Sequence, residues 1–152
     1  MRFLDSNILI YAADETQPDK YERACDIVEA AVRGDGFVVS AQVLNEFASV
    51  MYRKFKKSDA EVKELLLIAG TIKTVAVLPE WTQLAIDIKS RYGLQFYDSL
   101  LLAAAEANGC SEFWSEDLND GQMYCGMKAV NPFKEFGDSQ MQKNRQGGKA
   151  NA

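Results

Sequence analysis

No histidine occurs among the 152 residues, so imidazole is excluded here as general base, metal ligand or proton shuttle. The three cysteines, Cys25, Cys110 and Cys125, form no CxxC pair, and their odd number and scatter suggest neither a zinc knuckle nor a disulfide framework. The expectation is a reducing compartment, the cytoplasm. No apolar run approaches the ~20 residues that a membrane span requires. The start Met1-Arg2-Phe3-Leu4-Asp5 lacks a signal-peptide layout, because an acid interrupts the apolar stretch almost at once. A basic excess is missing too: 17 Lys and Arg stand against 22 Asp and Glu, a formal charge of −5. That counts mildly against adhesion to nucleic acid by charge alone. It does not exclude a nuclease, since acids gathered in one pocket inflate the negative count and a bound divalent cation reverses the sign where a phosphate must sit.

What remains is an ordinary globular balance, with 47% hydrophobic and 26% charged residues, enough for one domain with a real core. Apolar spacing predicts strands at Met1–Leu4, Phe37–Val39, Val75–Pro79, Glu112–Trp114 and, before Pro132, Lys128–Val130. Helical spacing follows Pro18 as far as Gly34, and Ser40 is placed to cap a helix carrying Val43, Leu44, Phe47, Val50 and Met51. Ser58-Asp59-Ala60-Glu61 is a capping-box pattern, the clearest helix start in the chain. A further helix carries Trp81, Leu84, Ala85 and Ile88, and Asp98 opens an Ala- and Leu-rich helix that stops at Gly109. Strands alternating with helices predict an α/β fold, a mainly parallel sheet between helical layers. The domain is expected to span residues 1–136, and the polar segment 137–152 to be a disordered tail.

Four acids stand where a strand should end or a helix begin: Asp5, Glu46, Asp98 and Asp117. Each has a plain structural use. Asp98 suits a helix start, Glu46 a solvated helix face, and Asp117 the turn Asp117-Leu118-Asn119-Asp120-Gly121. Asp5 is harder to dismiss, because it breaks an otherwise apolar stretch. Taken together they are expected at one edge of the sheet, since functional groups in open α/β sheets gather at the carboxyl ends of the strands. Two carboxylates ~4 Å apart repel by about 4 kcal/mol at an effective dielectric of 20, so such a cluster calls for a cation. With no imidazole or paired thiols, the all-oxygen set suits Mg²⁺ or Mn²⁺ rather than zinc.

At this point the chain resembles the PIN-domain family, and within it the VapC-like ribonuclease toxins of bacterial toxin–antitoxin pairs. The resemblance covers most of residues 1–136 and rests on four segments in order: Phe3-Leu4-Asp5-Ser6-Asn7-Ile8-Leu9-Ile10-Tyr11, Ser40-Ala41-Gln42-Val43-Leu44-Asn45-Glu46, the run from Tyr97-Asp98-Ser99 to Ala105, and Ser115-Glu116-Asp117-Leu118-Asn119-Asp120-Gly121. It implies a PIN-like three-layer fold and Mg²⁺- or Mn²⁺-dependent hydrolysis of RNA. Asp5, Asp98 and Asp117 would hold the metal, and Glu46 would be a ligand through water or a general base. Asn7 and Ser115 would be supporting polar groups, with Ser115 standing where the family often has Thr. Asn119 stands where many members carry another acid, which implies a weaker second-metal side. The resemblance also implies a VapB-like antitoxin whose tail enters the acidic groove, and a homodimer.

The one basic cluster, Arg53-Lys54-Phe55-Lys56-Lys57, could hold RNA phosphates or be a solvated helix end favoured by the dipole. Two rival readings stay open: a catalytically inactive PIN fold binding RNA or protein, and an aspartyl-phosphate phosphatase or receiver domain with Asp5 as nucleophile. The second would want an acid two residues on, where Asn7 stands.

Overall fold

The computed structural model describes residues 1–135, so the expected tail from Gly137 lies outside the described residues. At its centre is β1 (Arg2–Leu4), with Phe3 and Leu4 fully buried. A strand buried on both faces is what a parallel sheet covered by helices requires. The remaining elements are α1 (Ser6–Tyr11), α2 (Pro18–Val32), β2 (Phe37–Ser40), α3 (Ala41–Arg53), α4 (Asp59–Ala69), β3 (Lys73–Val75), α5 (Glu80–Tyr92), α6 (Phe96–Ala107), β4 (Glu112–Trp114), β5 (Met123–Tyr124) and β6 (Met127–Val130). They build a three-layer α/β fold around one six-stranded sheet of order β3-β2-β1-β4-β6-β5. Every strand pair is parallel except β5 with β6. α5 packs on α6, while α1 packs on α2 and α3, and α3 on α4. Among the described residues, no helix is long and apolar enough to cross a membrane.

The chain runs outward from β1 through β2 to β3, then returns to pair β4 with the other edge of β1. The strand order therefore reverses between β1 and β4, and the crevice at such a switch point is where open α/β sheets place ligands. The register puts Leu4 opposite Trp114, so Asp5 and Ser115 emerge side by side. The Asp5 amide carries the ladder one step further by donating to the Trp114 carbonyl at 3.0 Å. Behind them the cross-strand neighbours Phe3 and Phe113 stack their rings at 5.1 Å between centroids, adding side-chain packing to the ladder.

Local capping brings the other elements in. The Ser40 side chain accepts from the Val43 amide and starts α3 directly at the end of β2, as its sequence predicts. The Ser58–Glu61 capping box is present in both halves. Two expectations are corrected. The third strand is Lys73–Val75, not Val75–Pro79, because β2 ends at the helix-capping Ser40, which pairs with Val75 and leaves no ladder beyond it. The last long helix begins at Phe96, which makes Asp98 its third residue rather than its first. The apolar run after Asp5, to which the sequence assigned no element, is the short helix α1, capped by Asp5 itself.

Candidate active site

Asp5 is 4% exposed and is held at both oxygens. Oδ1 accepts from the Ser6 amide at 2.6 Å, and Oδ2 accepts from the Ser115 hydroxyl at 2.7 Å and from Asn7 Nδ2 at 3.4 Å. The same Asn7 amide nitrogen lies 3.2 Å from Asp117 Oδ2 and 3.2 Å from Ser115 Oγ, so one side chain ties the acids of β1 and the post-β4 loop together. Ser115 Oγ also accepts from the Asp117 amide at 3.0 Å, which turns the loop. On the other side, Ser6 Oγ donates to Glu46 Oε2 at 2.9 Å, and Gln42 Nε2 donates to Glu46 Oε1 at 2.8 Å. Gln42 Nε2 also reaches the carbonyl of Tyr97 at 3.4 Å, beside Asp98.

The electrostatics link all four acids. Burial pushes the Asp5 carboxyl up from its ordinary 3.8 to about 7; hydrogen bonds from Ser115 and Ser6 oppose the rise, and the charges of Asp117 and Asp98 add to it. Asp98 is also raised, first by burial and then by Asp117 and Glu46. A helix N-terminus favours an anion, yet at Asp98 desolvation and like charge win. A buried carboxyl shifted this far, with like charges beside it, makes the cluster a candidate functional site.

The donor chemistry fits a hard cation: carboxylates, plus Asn7 Oδ1 and Gln42 Oε1, two buried oxygens with no hydrogen-bond partner among the described residues. Among the described residues no three His, Cys, Asp or Glu side chains converge as a ready-made cage. Mg²⁺ does not require one, because it keeps several waters and typically takes only one or two carboxylates directly.

Asp5, Glu46, Asp98, Asp117, Asn7 and Ser115 are thus brought together. Asn119 is not: its side-chain amide donates to Gln122 at 2.8 Å, and its backbone amide donates to the Tyr124 hydroxyl. The basic cluster sits at the far end of α3, with Arg53 in the last helical turn and Lys54 3.8 Å from the buried Asp14. Sequence reasoning missed Ser6 and Gln42, which hold Glu46. The signal was there in helical spacing, since Gln42 lies four residues before Glu46 on one face.

The sheet order and the acids at its switch point define an α/β fold with one acidic candidate site. Residues 2–119 match the family model for the PIN domain, and the chain belongs to that family. Its backbone is similar to that of a toxin–antitoxin complex from Klebsiella pneumoniae, at 18% identity and TM-score 0.62, covering 87% of this chain and 98% of that one. It is also similar to VapBC2 from Rickettsia felis, solved with a DNA fragment from their promoter, at 14% identity and TM-score 0.63, covering 86% and 97%. A third likeness is to VapC20 of Mycobacterium tuberculosis, described as a sarcin-ricin-loop-cleaving toxin, at 12% identity and TM-score 0.58, covering 74% and 87%. No curated protein matches by sequence.

Proposed function

We propose that this chain is a metal-dependent endoribonuclease, the toxin of a toxin–antitoxin pair, with Mg²⁺ or Mn²⁺ held by Asp5, Asp98 and Asp117. The observation that carries the reading is Asp5: a buried carboxylate at the switch point, raised to about 7 and facing the charges of two more acids. A cation bound there would polarise a phosphate oxygen and lower the pKa of water in its shell. The chain's own residues do the rest. Ser6 and Ser115 fix the Asp5 carboxylate, and Asn7 orients Asp117 toward it. Glu46, held at each oxygen by one donor, keeps lone pairs free to take the proton of a water attacking phosphorus in line.

Arg53, Lys54, Lys56 and Lys57 are assigned as outlying contacts to RNA phosphates, and a VapB-like antitoxin and a second copy of the chain as protein partners. The likeness to two toxin–antitoxin assemblies supports the antitoxin.

The test is cleavage of a mixed-sequence RNA panel in Mn²⁺. Wild type is expected to cut, EDTA to stop it, and Glu46→Gln to lower kcat by about 10²–10⁴-fold, the usual worth of a general base. Cleavage that survives EDTA, or no cleavage of any RNA, would remove the proposal.

A further inference from the structure

Asp117 is the one exposed acid of the four, and among the described residues its carboxylate is met by a single donor, Asn7. It lies exposed in the irregular loop after β4, and its charge is repelled by Asp5 and Asp98. Next to it, Glu116 is pinned at both oxygens. The Tyr11 hydroxyl, at the end of α1, donates to Glu116 Oε1 at 2.6 Å, and Lys20 Nζ, in the first turn of α2, donates to Oε2 at 3.0 Å. Lys20 also donates to the Tyr11 hydroxyl at 3.1 Å, closing a three-membered ring of hydrogen bonds. Two aromatic rings enclose the ammonium: its nitrogen lies 4.6 Å from the Tyr11 ring centre and 5.9 Å from that of Phe133, which packs edge-on against Tyr11 at 4.9 Å. Lys20 and Glu116 are each only about a quarter exposed, at 24% and 23%.

This placement runs against local preference. The first turn of a helix favours acids, and a lysine there opposes the macrodipole. Lys20 is therefore explained by the tertiary partner it meets, not by the helix it sits in. Charge-assisted bonds at both oxygens fix the carboxylate's rotation as well as its position, and Glu116 is flanked in sequence by Ser115, which holds Asp5, and by Asp117.

We propose that Tyr11, Lys20 and Glu116 form a positioning clamp that holds Asp117 against the repulsion of the other acids, so that metal affinity depends on three residues outside the acidic cluster. The clamp rests on the nuclease reading for its purpose, but its physical action is on the loop. Residues that orient metal-binding groups typically change affinity or activity 10–100-fold when removed, and this partly exposed triad belongs at the lower end.

The experiment compares wild type with Tyr11→Phe, Lys20→Met and Lys20→Arg. Three quantities are read: Mn²⁺ affinity by calorimetry, kcat and KM for RNA well below the melting temperature, and amide exchange across 115–119 without metal. Tyr11→Phe and Lys20→Met are expected to weaken Mn²⁺ about tenfold and to lower kcat about tenfold at nearly unchanged KM. Exchange should accelerate within the loop alone, and Lys20→Arg should recover most of each loss. Variants that melt earlier but keep wild-type Mn²⁺ affinity, kcat and loop exchange would show the triad to be ordinary structural support and overturn the clamp. A wild type that neither binds Mn²⁺ nor cuts RNA would remove the nuclease reading instead. In that case the dependence of metal affinity on the triad falls with it, and the hold on the loop is overturned as well if exchange does not rise in Tyr11→Phe.

Discussion

Asp5→Asn is expected to reduce RNA cleavage by roughly 10³-fold or more while making the metal-free protein more stable at pH 8. The first effect follows from removing the most buried charge of the candidate site. The second follows from linkage. The folded protein holds the Asp5 proton up to about pH 7, whereas the unfolded chain releases it near 3.8. Between those values the folded state binds more protons, so wild-type stability contributed by this group is full at low pH, falls across the window and levels off above it. At 1.36 kcal/mol per pH unit the whole change is about 4 kcal/mol.

Asparagine removes that penalty but places a donor against Ser115 Oγ, which already accepts from the Asp117 amide. The net gain at pH 8 is therefore about 1–3 kcal/mol, shrinking to nothing or a small loss at pH 4. Urea melts of both proteins in EDTA at the two pH values measure it. A variant less stable than wild type at pH 8 would contradict the burial and repulsion assigned to Asp5.

Mn²⁺ should reverse the sign of this cost. A cation relieves repulsion that exists only when folding gathers the acids, so it stabilises the folded state by about 2.7 kcal/mol at 100 times its dissociation constant. For a chain of this size that raises the melting temperature by roughly 5–10 °C. Asp98→Asn should melt higher than wild type without metal, because a charge facing Glu46 and Asp117 has gone, and should gain much less from Mn²⁺. Equal shifts in the two proteins would separate Asp98 from the metal-binding group.

Much of this arrangement was legible in the residues, because it is written in local chemistry. Ser40 and the Ser58–Glu61 box cap helices as their types require, and the parallel sheet follows from buried strands alternating with helices. The misses have physical causes. α1 is six residues long, too short to show a helical period, and depends on the Asp5 cap. The β5–β6 hairpin turns through Cys125 and Gly126 at φ 51° and 77°; the usual Asn-Gly or Asp-Gly signature is absent, and the Tyr92 hydroxyl accepts the Cys125 amide instead. The four acids were marked by position, and Asn7 and Ser115 by the family resemblance, but Ser6 and Gln42, which hold Glu46, were not. Tyr11, Lys20 and Glu116 come from three elements, and only the fold shows that they meet.

The central claim is that Asp5, Glu46, Asp98 and Asp117 act as one cation site. Calorimetric titration of Mn²⁺ into metal-free protein tests it without substrate or antitoxin. Wild type should give a saturable isotherm, and Asp5→Asn and Asp98→Asn should each weaken it by about 100-fold, with the double variant little worse than either single one, because residues sharing one ligand are not additive. Wild-type isotherms in both single variants, in proteins that remain folded, would show that the acids are four separate surface and capping residues.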